Sequence, residues 1–431
     1  MKLAMASVLL VLLSLLIRSN AKEEAFDARH GTRSPTKKRI KELENLAAHL
    51  EVLLREAEEQ NLSLEKLPVW LKGWKSPWKG KLKGGELIIQ GEDELYDLGI
   101  RTRARFPNLF NDDYHLDVYA IKATQVPRAS ASAVAFGMGL FSGKGSLGPG
   151  RHRAFAVTSE SRASDTMLRF HDCCQNYKAF KKSQEPAVDK LKEPVYDEIT
   201  SAEASLLNIV DQACALFSPS EVSLLEWTDD LEAFILKGYG KSINYRMGVP
   251  LLEDAVQSME QAIKAEEEKH APGSYEKARL SFAHAETVFP FSCLLGLFLD
   301  GSEFQKIQRE QSLQLPPMPP QKRNWRGNTV APFGGNNMLV LYSCPANTSN
   351  KHFVRVLHNE HPIPMPGCDG TDFCPLDMFK ERIVAPHLKH DYNSVCNVKL
   401  EQQEQKPVAS KLSQLWMFSL GNGDKRSLDE L

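Results

Sequence analysis

The sequence predicts an α/β protein on three observations. The apolar runs at Asp117–Ile121 and from Ala278 each pass through a polar turn straight into an apolar helical stretch. Met338–Tyr342 and Phe353–Leu357 read as an antiparallel strand pair at one side of the same sheet. Between these groups, residues 140–279 carry helix start and stop signals, with Pro219 to Lys237 ending at Gly238 and Pro250 to about Lys269 ending before Pro272-Gly273.

The 431 residues suffice for one composite domain or two intimately joined ones. A formal net charge of −2 provides no broad basic field, which argues against nucleic-acid or membrane-surface binding; any polyanion site must be local. Met1-Lys2 followed by apolar Leu3–Ile17 and small residues at 19–21 reads as a signal peptide over 1–21, too short for a stable membrane span. The last four residues, Leu428-Asp429-Glu430-Leu431, are one substitution from a Lys-Asp-Glu-Leu signal, so a retrieval receptor is an expected partner and the secretory pathway, lumenal or secreted, the expected location. Eight cysteines then read either as disulfide partners or as buried thiols. Asn61-Leu62-Ser63 and Asn347-Thr348-Ser349 are glycosylation sequons.

In chain order, the first stretch with chemistry in it is Ala28–Thr36. Arg29 and Arg33 flank His30, as a phosphate site requires: guanidinium forks hold phosphate oxygens beside a nucleophilic imidazole. Gly31 would let the backbone approach a tetrahedral anion, and Ser34-Pro35 would cap and open a helix running to about Gln60, with Ile40, Leu43, Ala47, Leu50 and Leu54 on one face. Lys37, Lys38, Arg39 and Lys41 in its first turns oppose the helix dipole; they form either a solvated face or, with Lys37 and Lys38 foremost, a wall for further phosphates. Trp70–Lys83 is a Gly/Pro-broken loop, followed by a turn and helix over Gly85–Arg105. Arg128 stands in the turn after a strand and before a helix, where open sheets bind anions. His171-Asp172-Cys173-Cys174 reads as structural. His284-Ala285-Glu286 follows the last such strand; a zinc deaminase would add Pro-Cys-x-x-Cys, which is absent. Leu315–Pro320 is an extended proline-rich segment, and the chain from about Glu401 is a polar tail.

Arg29-His30-Gly31-Thr32-Arg33-Ser34-Pro35 carries the R-H-G-x-R-x-P pattern, and with it residues 28–400 resemble the histidine acid phosphatases, in particular the multiple inositol polyphosphate phosphatase branch that includes plant-type phytases. The resemblance implies a mostly parallel-sheet core with helices on both faces, in two parts (22–139 and 280–400), and a helical cap domain over 140–279. It implies a metal-independent phosphomonoesterase with no cofactor, acting on polyphosphates such as inositol hexakisphosphate through a phosphohistidine. By the same resemblance His30 is the nucleophile and Glu286 the proton donor, with Arg29, Arg33, Arg128 and His284 on the phosphate. An acidic optimum follows, because Glu286 must be protonated beside cations that oppose it.

One departure from the family stands out. The six residues before Ala28, Lys22-Glu23-Glu24-Ala25-Phe26-Asp27, include four charges where a nearly all-apolar buried strand is expected. The strand that positions the nucleophile therefore reads as missing. That leaves a second class of function, a lumenal protein of this fold that binds polyphosphates without turnover. A phosphoglycerate-mutase-like relative shares the Arg-His-Gly core but leaves the signal peptide and His-Ala-Glu unexplained.

Overall fold

The computed structural model describes residues 21–397 except 66–68, 77, 79, 81–83, 202–216, 272 and 345–350. The expected signal peptide up to residue 20, the Asn347 sequon, Cys214 and the polar tail lie outside the described residues.

The strand read as missing is present. β1 spans Ala21–Arg29 and occupies the middle of the sheet, parallel to β3 (Ala278–Ala283) on one side and antiparallel to β4 (Asn336–Ser343) on the other. Lys22, Glu23 and Glu24 fall at its leading end, so its inner run is Ala25-Phe26-Asp27-Ala28. Phe26 and Ala28 join the apolar cluster on one face, and Ala25 joins the cluster on the other. Asp27 is the real exception to the apolar rule: it is 2% exposed, and neither carboxyl oxygen has a hydrogen-bond partner among the described residues. Burial alone pushes its pKa up to about 8, so it sits in the core as the neutral acid. A residue that counts as a charge in the sequence is uncharged in the strand.

The other strands are β2 (Tyr119–Ala123), β5 (His352–His358) and the two-residue β6 (His361–Pro362) and β7 (Cys374–Pro375). The sheet order is β2-β3-β1-β4-β5-β6, with β7 also on β5. β2, β3 and β1 run parallel; from β4 onward the pairing is antiparallel. Helices cover both faces. On one, α2 (Ile89–Arg105) and α3 (Pro127–Leu140) bury Leu95, Leu98, Ala133 and Phe136 against Phe26, Phe282 and Met338. At about 25 cal/mol per Å² these aromatic and aliphatic side chains dominate the local stabilisation.

The opposite face corrects the expected domain boundary. Residues 140–279 supply α4 (Phe170–Cys173), α5 (Gln175–Ser201), α6 (Pro219–Lys237) and α7 (Val249–Glu267). α7 is not part of a cap: Leu251, Leu252, Ala255 and Met259 share one core with Ala25, Leu339 and Leu341 of the sheet. Its apolar stripe is wide enough to need a sheet face for cover. α8 (Ala285–Leu294) lies in the same cluster through Val288, Phe291 and Leu294. α1 (Lys37–Glu59) starts two residues later than its sequence suggests, capped by Thr36. Ser34 is otherwise engaged, its amide donating to Glu86 O (2.8 Å) and its hydroxyl accepting from Glu86 N (3.1 Å). Cys174 pairs with Cys396 in α9 (Tyr392–Asn397), and Cys368 pairs with Cys374; Cys173, Cys293 and Cys344 are free thiols.

Candidate active site

The parallel register delivers three loops to one point. Arg29 faces Ala283 at the end of β3, and Ala123 at the end of β2 faces Phe282. The next residues of each strand are His30, Thr124–Arg128 and His284–Glu286, so the sheet itself assembles the groups that the sequence scatters over more than 250 positions. His30 N–H closes the junction on Ala283 O (3.1 Å). α3 and α8 begin here, with Pro127 in the first turn of one and His284 as N-cap of the other. Two helix N-termini at the carboxyl ends of parallel strands make a site for an anion.

His30 is 3% exposed, and its Nδ1 lies 2.9 Å from Gly31 O. A carbonyl can only accept, so Nδ1 carries the proton and Nε2 keeps its lone pair. Burial, reinforced by Arg128, Arg29 and Arg33 against the opposing Gly31 bond, lowers its pKa to about 3. The imidazole is therefore neutral and nucleophilic even in acid.

The loop around it is tightly held. Gly31 N–H donates to Ser132 Oγ (3.1 Å), which itself donates to Arg128 O (2.8 Å). Thr32 donates its amide (2.8 Å) and hydroxyl (2.7 Å) to the two oxygens of Glu94 on α2. A Cβ on Gly31 would lie 2.2 Å from Gly91 O, and one on Gly91 would lie 2.2 Å from Thr32 O. The glycine expected to admit an anion instead admits helix α2. The reason is backbone-to-backbone packing that no single-position reading of the motif contains.

Arg29 lies over the Phe333 ring (4.0 Å) and donates to Ala331 O, while Arg33 sits 5.9 Å from the same ring and donates to Ser34 O (2.9 Å). Burial lowers Arg29 to about 10, which leaves it charged at any working pH. Arg128 reaches Gly85 O (3.5 Å) and His284 Nδ1 (3.4 Å). His284 Nε2 shares a hydrogen bond with Thr124 Oγ1 (3.1 Å). Burial first, then Arg128, holds His284 well below the ordinary histidine range. The rings of His30 and His284 are 5.4 Å apart, edge to face.

Glu286 opens the first turn of α8 and pairs with Lys237 Nζ at 3.2 Å, from the last turn of α6. Burial would raise its pKa, but Lys237 and then His171 outweigh that, so the carboxyl stands ionised below its usual range. Lys37 and Lys38 are exposed in the first turn of α1. They stand a short backbone step from Arg128, because Gly85 donates to Pro35 O (2.9 Å) and accepts from Arg128. The basic first turn is partly neutralised within its own helix: Lys38 and Arg39 both pair with Glu42.

Sequence reading missed three contributors. Arg169, N-cap of α4, places Nη1 3.4 Å from His284 Nε2 and pairs with Asp172. Phe333 is the platform under Arg29. Lys237 looks, in the sequence, like an ordinary helix-ending lysine before Gly238. Arg169 stands two residues before the His171 cluster read as structural, and His171 itself faces Glu286, so proximity to an unexplained histidine was the available signal.

A neutral, buried histidine among arginines at the carboxyl ends of parallel strands is an arrangement suited to a phosphate-handling α/β protein. Known proteins agree. The profile of the histidine phosphatase superfamily (branch 2) matches residues 28–210 and 200–359, and the chain belongs to that family. It is 26% identical over 450 residues to multiple inositol polyphosphate phosphatase 1 of Dictyostelium discoideum, covering 86% of this chain and 67% of that protein. The human multiple inositol polyphosphate phosphatase 1 is 25% identical over 370 residues, covering 78% of this chain and 74% of that protein. In fold, the chain resembles the phytase from D. castellii (TM-score 0.60, 16% identity, 95% of this chain and 87% of that one). It also resembles the Bifidobacterium longum multiple inositol polyphosphate phosphatase in complex with inositol hexasulfate (TM-score 0.56, 17% identity, 85% and 93%). Among the described residues no helix is long and apolar enough to cross a membrane.

Proposed function

We propose that the protein hydrolyses phosphomonoesters of inositol polyphosphates by way of a phosphohistidine. The observation that carries this is the Nδ1–H of His30 fixed on Gly31 O, which leaves Nε2 as a neutral nucleophile beside Arg29, Arg33 and Arg128. Nε2 attacks phosphorus, the P–O bond to the inositol carbon's oxygen breaks, and Glu286 supplies the proton that the departing alkoxide needs. Arg29, Arg33, Arg128 and His284 hold the equatorial oxygens, where charge spreads in the transition state; this is the dominant catalytic term for phosphoryl transfer. Water then attacks the phosphohistidine, giving its proton back to Glu286, and inorganic phosphate leaves. Arg169, Lys37 and Lys38 extend the positive field beyond the scissile group, which favours substrates with several phosphates.

The alternative of binding without turnover rested on a missing strand. β1 is in place, so that support is gone. The disulfides Cys174–Cys396 and Cys368–Cys374 suit an oxidising secretory compartment.

The test is phosphate release from inositol hexakisphosphate by purified residues 22–431 with chelator present, with alkaline quenching to trap the phosphoenzyme. Release with a trapped, acid-labile phosphate on His30 is the expected result; folded protein that releases none refutes the reading. The pH profile is a second check. Above the pKa of Glu286 the protonated donor falls tenfold per pH unit, so kcat/KM rises as pH drops from neutrality. The rise ends near pH 3, where His30 takes up a proton. A profile flat up to neutrality would contradict Glu286 as donor.

A further inference from the structure

The mechanism asks Glu286 to give a proton, yet the site as folded holds it as a carboxylate. Its immediate counter-ion is Lys237, 3.2 Å away and 20% exposed, while Glu286 itself is 35% exposed. The other groups facing Glu286 are His171 on α4, Tyr177 on α5, His284 at the head of α8, and the guanidinium groups of Arg29, Arg128 and Arg169. The arginines are tethered: Arg29 by Ala331 O and Phe333, Arg128 by Gly85 O and His284, Arg169 by Asp172. His171 and His284 are buried and uncharged at neutral pH. Lys237 differs from all of these, being a compact charge on a long flexible stem at a helix end.

We propose that Lys237 is a positioning residue that couples substrate binding to protonation of Glu286. In the empty site it pairs with the carboxylate. When a phosphate dianion arrives, Lys237 turns to it, and Glu286, now beside a second negative charge, takes one proton from solvent. The donor is thus protonated only when an anion is bound, and no oxidant or further reactant enters the step. This proposal rests on the reading of Glu286 as proton donor.

The two states of Glu286 are read separately in kinetics, since kcat/KM reports groups of the free enzyme and kcat those of the complex. In the wild type the alkaline limb of kcat/KM therefore lies at lower pH than that of kcat. An opposite charge at this distance moves a carboxyl by about one to three pH units. Lys237→Met is accordingly expected to shift the alkaline limb of kcat/KM upward by about one unit or more, leave the limb of kcat in place, and raise KM severalfold through the lost phosphate contact. Lys237→Arg, which keeps the charge, should hold both limbs near their wild-type positions. Lys237→Gln is the second neutral variant and should behave like Lys237→Met if that protein folds poorly. With inositol hexakisphosphate as substrate throughout, an unmoved kcat/KM limb in both neutral variants overturns the proposal. Glu286→Gln separates the two ideas: an active Glu286→Gln enzyme with the alkaline limb intact refutes Glu286 as donor, whatever Lys237 does.

Discussion

His30→Ala is expected to lower phosphate release from inositol hexakisphosphate by roughly 10⁴-fold or more while leaving the protein folded. The size follows from the lack of a substitute. His284 is 5.4 Å away, but its Nδ1 is engaged by Arg128 and its Nε2 by Thr124 and Arg169, so neither nitrogen is free to attack phosphorus. The fold should survive because alanine retains the backbone bonds of His30 to Ala283 and Gly334, and the imidazole bonds its own neighbour Gly31. Steady-state release beside a thermal melt measures both halves. Activity within tenfold of wild type in a folded variant would remove His30 from the role of nucleophile.

The second large effect concerns Asp27 and stability. In the folded chain its carboxyl keeps a proton up to about pH 8, against an ordinary value of 3.8 when exposed. Between those values the folded state binds more protons than the unfolded one, so stability falls as pH rises, by about 1.4 kcal/mol per unit from this group. Above the folded value the slope disappears. An asparagine at this position would be neutral in both states and would leave its polar atoms in the same surroundings. Asp27→Asn should therefore be more stable than wild type at pH 7 by up to about 4 kcal/mol, with the advantage shrinking toward pH 4. Urea unfolding of the two proteins at several pH values reads this directly, because every other titrating group cancels in the difference. A difference that does not vary with pH would show that Asp27 is not a buried neutral acid. The consequence for function lies three residues on: the strand that carries His30 is held most firmly in acid, where the proposed chemistry also runs best.

Asp27 also shows where reading a sequence by charge breaks down. Lys22-Glu23-Glu24 at the leading end of β1 and a neutral aspartic acid inside it look, letter by letter, like a solvated segment. Only the pairing partners β3 and β4, which are about 250 and 310 positions away, show which residues are inside. Gly31 is a similar case. Its place in the motif was legible, but its physical purpose, admitting Gly91 of α2, depends on an approach between segments 60 residues apart.

What the sequence determined by itself was local and periodic. It specified α6 down to its Gly238 cap, the β4–β5 pair, the strand-turn-helix units that place Arg128 and His284–Glu286, and the Arg-His-Gly signature. These depend on side-chain pattern and backbone propensity within a dozen residues, which the chain states directly. The tertiary structure alone decided which face α7 covers, that Asp27 is uncharged, that Nδ1 and not Nε2 of His30 holds the proton, and that Lys237 and Arg169 reach the site. Each of those depends on burial or on a partner distant in sequence, and a protonation state is a property of surroundings rather than of a residue.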